Sequence, residues 1–194
     1  MQTGLIFISS FIALISPFIY TRAILKGEAK PHRTTRIVLL IVTALATVSL
    51  LAQHDQVSVW LAGVSTLQSI VIFILSIKYG MGGWEKSDIV CLMIAFLGIF
   101  LWQTTNEPII ALIASIVADF TGMVPALIKT YKYPETEIWT FYILDTAAGT
   151  LNLLAVKYFT IQAVAYPIYI ALINLVMVLL ILRPKIHKIP KPNY

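Results

Sequence analysis

The chain has 194 residues, 59% of them hydrophobic, with a net charge of +5 and one cysteine. Soluble domains are about 45–50% apolar, so this composition, with a mean hydropathy of +0.87, excludes an ordinary soluble fold. The basic balance calls for no nucleic acid, because cationic side chains are retained at an anionic membrane surface; the lone Cys91, inside an apolar run, excludes an internal disulfide and reads as a packing residue.

Apolar runs fall at about 4–20, 34–52, 57–77, 88–102, 108–127, 138–156 and 160–182, which predicts seven helices of bilayer-spanning length. Only Met1, Gln2 and Thr3 precede the first run; with no basic flank it reads as a membrane helix and not as a cleaved leader. The next gap holds Arg22, Lys26, Lys30, Arg33 and Arg36. Lys78 and Lys86 follow the third run, Lys129 and Lys132 the fifth, and Arg183, Lys185, Lys188 and Lys191 the seventh. The alternate gaps hold only Lys157. Because Lys and Arg collect in cytoplasmic loops, the amino terminus is expected outside and the carboxyl terminus inside a bacterial inner (plasma) membrane. Trp60 and Trp102 then fall near the outer boundary and Trp84 and Trp139 near the inner one, at headgroup level.

The second and sixth runs are related. Thr43 to Ala52 reads TALATVSLLA and Thr146 to Ala155 reads TAAGTLNLLA, alike at six of ten positions with a spacing of 103. Pro17 and Pro125 lie near the inner ends of the first and fifth helices, each before a basic loop with a second proline, Pro31 or Pro134. The expected fold is an all-α membrane protein in which two parallel three-helix bundles, related by an axis along the membrane normal, are joined by a linker helix. Residues 1–80 form the first bundle, 81–107 the inner loop and linker, 108–183 the second bundle, and 184–194 a basic cytoplasmic tail. The linker carries no charged residue between Asp88 and Glu107.

SPFIYTRAILKGEAKP, from Ser16 to Pro31, and DFTGMVPALIKTYKYPETEIW, from Asp119 to Trp139, resemble the proline-containing helix ends and basic loops of the SWEET and PQ-loop superfamily of small-solute transporters. The resemblance covers nearly the whole chain and implies two parallel three-helix bundles around a linker. The glutamine of the family's Pro-Gln pair is Phe18 in one unit and Ala126 in the other, and the prolines common in helices two and six of sugar-carrying members are missing. LDTAAGTLNLL, Leu144 to Leu154, resembles the aspartate-containing helix of the cystinosin branch, which implies a proton-coupling role for Asp145.

The residues lead to a similar place without the family. Asp119, Asp145, Asn174 and the Gln68-Ser69 pair lie about seven to ten residues from the inner boundary, or roughly 10–15 Å at helical rise, and Thr43 joins them from the second helix. An aspartate at mid-bilayer costs about 2.5–3.5 kcal/mol on insertion scales, so two of them are expected to face a protein-lined or watered cavity. Ser115, Asp119 and Gly122 form one stripe at helical spacing, and Asp145, Gly149 and Asn152 another. Asp119, Asp145, Asn174, Gln68, Ser69, Thr43 and Asn152 are candidate substrate contacts, with Asp119 and Asp145 as candidate proton-coupling groups and the small residues of the stripes leaving room for a solute; interhelical hydrogen bonding and close glycine packing are the alternative. Pro17 and Pro125 are candidate hinges or gates, with a rigid kink as the plain alternative. Tyr142, Tyr166 and Tyr169 are placed to stack with a solute. Glu135 and Glu137 suit either an inner gate or ion pairs with Lys129 or Lys132, and His32 and His187 are expected in solvated basic segments. Neighbouring His54 and Asp55 make too small a ligand set for a metal.

No catalytic constellation is legible, neither an HExxH pair, nor a nucleophile with a histidine partner, nor a phosphate-binding glycine loop. The expected function is therefore non-enzymatic and cofactor-free: alternating-access transport of a small polar solute such as a sugar, amino acid or vitamin, by uniport or proton coupling. The second reading is a seven-helix receptor or sorting protein, which binds saturably without flux. A homo-oligomer is compatible with the sequence, although two repeats already supply both walls of a pathway.

Overall fold

The computed structural model describes residues 2–52, 58–83, 85–105 and 108–186, and among these the chain is all-helical, without strands. Seven α-helices follow the apolar runs: α1 (Gln2–Leu25), α2 (Arg33–Ala52), α3 (Ser58–Tyr79), α4 (Lys86–Thr104), α5 (Pro108–Lys132), α6 (Trp139–Leu154) and α7 (Ile161–Ile186). A 3-10 turn at Pro134–Thr136 precedes α6. His54, Asp55, Trp84 and His187 lie outside the described residues.

α1 and α5 run five residues past the ends expected from hydropathy, so Pro17 and Pro125 are interior to their helices and not at their inner ends. Basic residues continue a helix readily, whereas a left-handed residue stops it. Gly27 has φ 76°, its N–H bonds Ile24 O at 3.0 Å, and the Glu28 N–H returns to Ala23 O at 2.9 Å, which closes α1 in a Schellman motif.

Pairwise packing fixes the helix directions. Ser16 of α1 meets Asp145 of α6 and Tyr20 meets Glu137, so these two helices are antiparallel. Thr47 meets Thr66 while Arg33 meets Ser76, which makes α2 antiparallel to α3. Tyr169 reaches Asp119 and Arg183 reaches Tyr131, so α5 and α7 are parallel. α1 packs on α3 and α6, α5 on α7 and α2, and α2 on α3 as α6 on α7; among the described residues neither α1 with α2 nor α5 with α6 forms a packing pair. Advancing each element of the first three by four positions therefore maps the pairings onto one another. The threonine ladders match too: Thr43 bonds Leu39 O and Thr47 bonds Thr43 O, while Thr146 bonds Tyr142 O and Thr150 bonds Thr146 O.

With these directions Arg22, Lys26, Lys30, Lys78, Lys86, Lys129 and Arg183 gather at one end of the bundle. The lateral surface is apolar, with Phe11, Phe18, Leu67, Met93, Leu97 and Leu172 all exposed, while Ser9, Ser16, Ser76, Asp119, Lys129 and Asn174 are buried. That inverts the distribution of a soluble protein. Three stretches, Ile8–Leu25, Leu112–Lys132 and Ala163–Arg183, are long and apolar enough to cross a membrane, against the seven expected; among the others α6 has 16 residues, only about 24 Å of helix. The bundle is thus a membrane-associated one.

Glycines set the closest approaches. A Cβ at Gly122 of α5 would lie 2.5 Å from Val38 Cγ1 of α2, and one at Gly149 of α6 would lie 3.1 Å from the Ala171 backbone nitrogen of α7. Both glycines of the expected polar stripes therefore serve helix contact. At the basic end, Gly82 has φ 71° and a Cβ there would lie 2.2 Å from His32 Nε2, whereas Gly27 has φ 76° and open space. Gly27→Ala is expected to cost the backbone penalty alone, about 1–2 kcal/mol, and Gly82→Ala visibly more. Thermal unfolding of both variants in detergent checks the order; equal shifts would show that the His32 contact carries no weight.

Candidate functional site

The α1–α6 contacts order the interior by depth. Farthest from the basic end Ser9 Oγ donates to Asn152 Oδ1 at 3.1 Å, next Ser16 Oγ donates to Asp145 Oδ1 at 2.5 Å, and nearest the basic end Tyr20 donates to Glu137 Oε2 at 2.9 Å. Beside the middle level, between α2, α3, α5, α6 and α7, is a cavity of about 210 Å³. Thr43, Ser69, Asp119, Asp145 and Asn174 line it, so the structure brings together five of the residues singled out by depth in the sequence. It leaves two aside. Asn152 is exposed and engaged by Ser9, and Gln68 is half-buried outside the lining with its Nε2 unpartnered among the described residues.

Both acids retain acceptor capacity. Asp119 Oδ2 accepts from the Tyr169 hydroxyl and Asp145 Oδ1 from Ser16, while an ionised carboxylate offers about four lone-pair sites. Thr43 spends its hydroxyl on Leu39 O and Leu40 O, and Asn174 Nδ2 bonds Ile170 O at 2.9 Å. Tyr142 and Tyr166 also line the cavity, and Tyr166, near the start of α7, is 42% exposed.

Toward the basic end the cavity is shut by an aromatic and charged plug that the sequence did not disclose. Tyr20 and Phe141 stack with centroids 4.4 Å apart, and the Arg36 guanidinium lies 4.7 Å from the Tyr20 ring centroid. Behind them Lys129 Nζ donates to Glu137 Oε1 and to Lys30 O, the latter at 2.7 Å, with both charges buried. Glu137 forms the ion pair with Lys129 that the sequence allowed. Pro125 borders the adjoining recess beside Lys129, and Pro17 directly follows Ser16; each proline leaves one helix carbonyl, of Thr121 or Ala13, without its N–H donor.

His32 is not solvated as expected: it is 6% exposed, with Nε2 3.7 Å from Asp88 Oδ1. Asp88 is itself held by the backbone N–H groups of Gly83 and Glu85, and Met81 N donates to Pro31 O at 3.1 Å, so the α1–α2 and α3–α4 loops are tied together. Burial pushes the His32 imidazole below its ordinary range and the positive Lys129 and Arg33 reinforce this, against the pull of Asp88 and Glu85. The unfolded chain takes up this proton near pH 6.5, the folded one only at lower pH. Its contribution to stability is therefore complete above about pH 6.5 and is lost as the pH falls below it. The melting temperature in detergent is expected to drop from about pH 6.5 toward pH 5, with a shallower drop in His32→Gln; a rise on acidification would contradict the assignment.

A larger recess of about 420 Å³ lies between α2, α3 and α4, lined mainly by apolar residues such as Ile37, Phe73 and Leu92. Its Arg33 is already engaged by Ser76 O, Ile77 O and Gly82 O and its Asp88 by the Gly83 and Glu85 N–H groups, so it lacks the paired acids that converge in the smaller cavity. Among the described residues no group of His, Cys, Asp and Glu is arranged to hold a metal. No family model, curated protein or solved structure matches the chain.

Proposed function

We propose that the protein is an integral-membrane carrier of a small polar solute, built from seven spanning helices in two parallel three-helix units, α1–α3 and α5–α7, with α4 as the linker. The cavity carries this reading: two aspartates, two hydroxyl residues and an asparagine converge in the middle of a bundle with an apolar exterior. The four-position shift that maps helix pairings onto each other, the matched threonine ladders and the resemblance to SWEET and PQ-loop proteins support the repeat. The basic residues gathered at one end support a cytoplasmic position for that end, with the amino terminus outside.

In this reading the structure has its cytoplasmic side closed. Opening it requires the Tyr20, Phe141 and Arg36 plug to part and Lys129 to leave Lys30 O, with Pro17 and Pro125 as bending points in the moving helices. Asp145 and Asp119 are the groups whose access to water changes, so they are the proton-coupling candidates. The test is uptake of labelled sugars, amino acids and nicotinamide-like vitamins into proteoliposomes, with and without an imposed pH gradient. Saturable uptake is the expected result. Saturable binding without flux would replace the carrier by the receptor reading.

A further inference from the structure

The cytoplasmic floor of the cavity presents unused polar groups of the opposite character to its acids. His32, Thr35 and Arg36 all line it, at a spacing that puts them on one face as α2 begins. All three are buried, with Arg36 9% exposed, and His32 Nδ1, Thr35 Oγ1 and Arg36 Nε have no hydrogen-bond partner among the described residues. A guanidinium does not lose its proton in a protein, and burying it is costly unless its charge is paired and its donors are satisfied.

Glu137 and Asp145 lie near enough to act on Arg36 electrostatically, but neither pairs with it. No carboxylate stands at ion-pair distance from Arg36 among the described residues. Glu137 is taken by Tyr20 and Lys129, and Asp88 by the Gly83 and Glu85 backbone. The Tyr20 and Phe141 rings, 4.7 and 5.9 Å from the guanidinium carbon, attract a cation but give Nε no acceptor. Asp145 lies one helical turn beyond Phe141, about 6 Å along α6. A small molecule can therefore touch both ends at once.

We infer that the floor is an anion subsite, in which Arg36, with His32 and Thr35, takes the carboxylate of a small hydroxy- or amino-carboxylate while Asp145 and Asp119 take its hydroxyl or ammonium donor. This rests on the carrier reading and narrows its solute. A planar carboxylate suits the guanidinium fork, and the threonine hydroxyl and imidazole add further donors. The cavity, at about 210 Å³, has the volume of about seven waters at liquid density, which suits a solute of this size.

The test uses labelled alanine, glycine, lactate and glycolate with the purified full chain, by equilibrium dialysis in detergent and by uptake into proteoliposomes. Alaninol and propane-1,2-diol, in which the carboxylate is reduced to an alcohol, serve as competitors. In the wild type the alcohols are expected to compete about 10- to 100-fold less well than the acids, the factor that a lost charge-assisted hydrogen bond carries. Arg36→Gln should abolish that preference and Arg36→Lys keep part of it. The wild-type comparison stands whether or not either variant folds. Preferential tracer among the amino acids or among the hydroxy acids identifies the donor that the aspartates take. Alcohols that compete as well as acids would mean that water satisfies Arg36 and would overturn the subsite, as would failure of all four acids to bind. Acid binding without uptake would sink the carrier and leave the subsite standing; uptake of a neutral sugar with no acid binding would do the reverse.

Discussion

Asp145→Asn is expected to leave the bundle folded and to cut gradient-driven uptake by about 10- to 100-fold, the scale of losing one charged hydrogen-bonding group. Asparagine has nearly the same shape, and its side-chain oxygen still accepts from Ser16 Oγ, so the α1–α6 contact survives. What disappears is one of the two carboxyl groups lining the cavity that can gain and lose a proton. Asp119→Asn tests the second acid in the same way, with Tyr169 as the surviving partner. Uptake with and without the gradient, alongside melting temperature, separates lost coupling from lost fold. If gradient dependence persists in both variants, neither aspartate couples protons to the solute.

The second large effect belongs to the plug. Lys129→Met is expected to destabilise the protein by about 3–5 kcal/mol, because it strands Glu137 in a buried site with Tyr20 as its one remaining donor among the described residues. For a chain of this size that corresponds to a fall in melting temperature on the order of 10 °C. Replacing both partners, Lys129→Met with Glu137→Leu, removes the stranded charge and should recover most of the loss. The comparison of single and double variants in detergent measures the coupling directly. A single variant as stable as the wild type would mean that the buried pair carries no weight in holding the basic end of the bundle together.

The helices and the convergence of the polar residues were legible in the sequence for one reason: apolar side chains must cover the bundle, so polar exceptions stand out. Asp119, Asp145, Thr43, Ser69 and Asn174 are such exceptions, and they line one cavity. Arg36 was not legible, because at the edge of a basic loop it reads as one more cytoplasmic charge, whereas the helix begins at Arg33 and turns it inward beneath Tyr20. The signal was its spacing of seven from Thr43, two turns along the cavity face. His32 was misplaced for a similar reason: its burial follows from the loop contact with Met81 and Asp88, far along the chain. Gly122 and Gly149 look like room for a solute in sequence, and only their neighbours Val38 and Ala171 show that the space is filled by helices.

Alternate access to the cavity is most directly measured by cysteine substitution at Thr43, Ser69 and Asn174, with Cys91→Ala removing the one native thiol. Right-side-out and inside-out vesicles are treated with a membrane-impermeant thiol reagent, and a cysteine at the outward-facing Leu97 of α4 serves as the lipid-side control. The expected result is labelling of the three cavity positions from both sides, protected by solute, with the control unlabelled. Cavity positions that label from one side only, or no more than the control, would contradict a watered carrier pathway through the bundle.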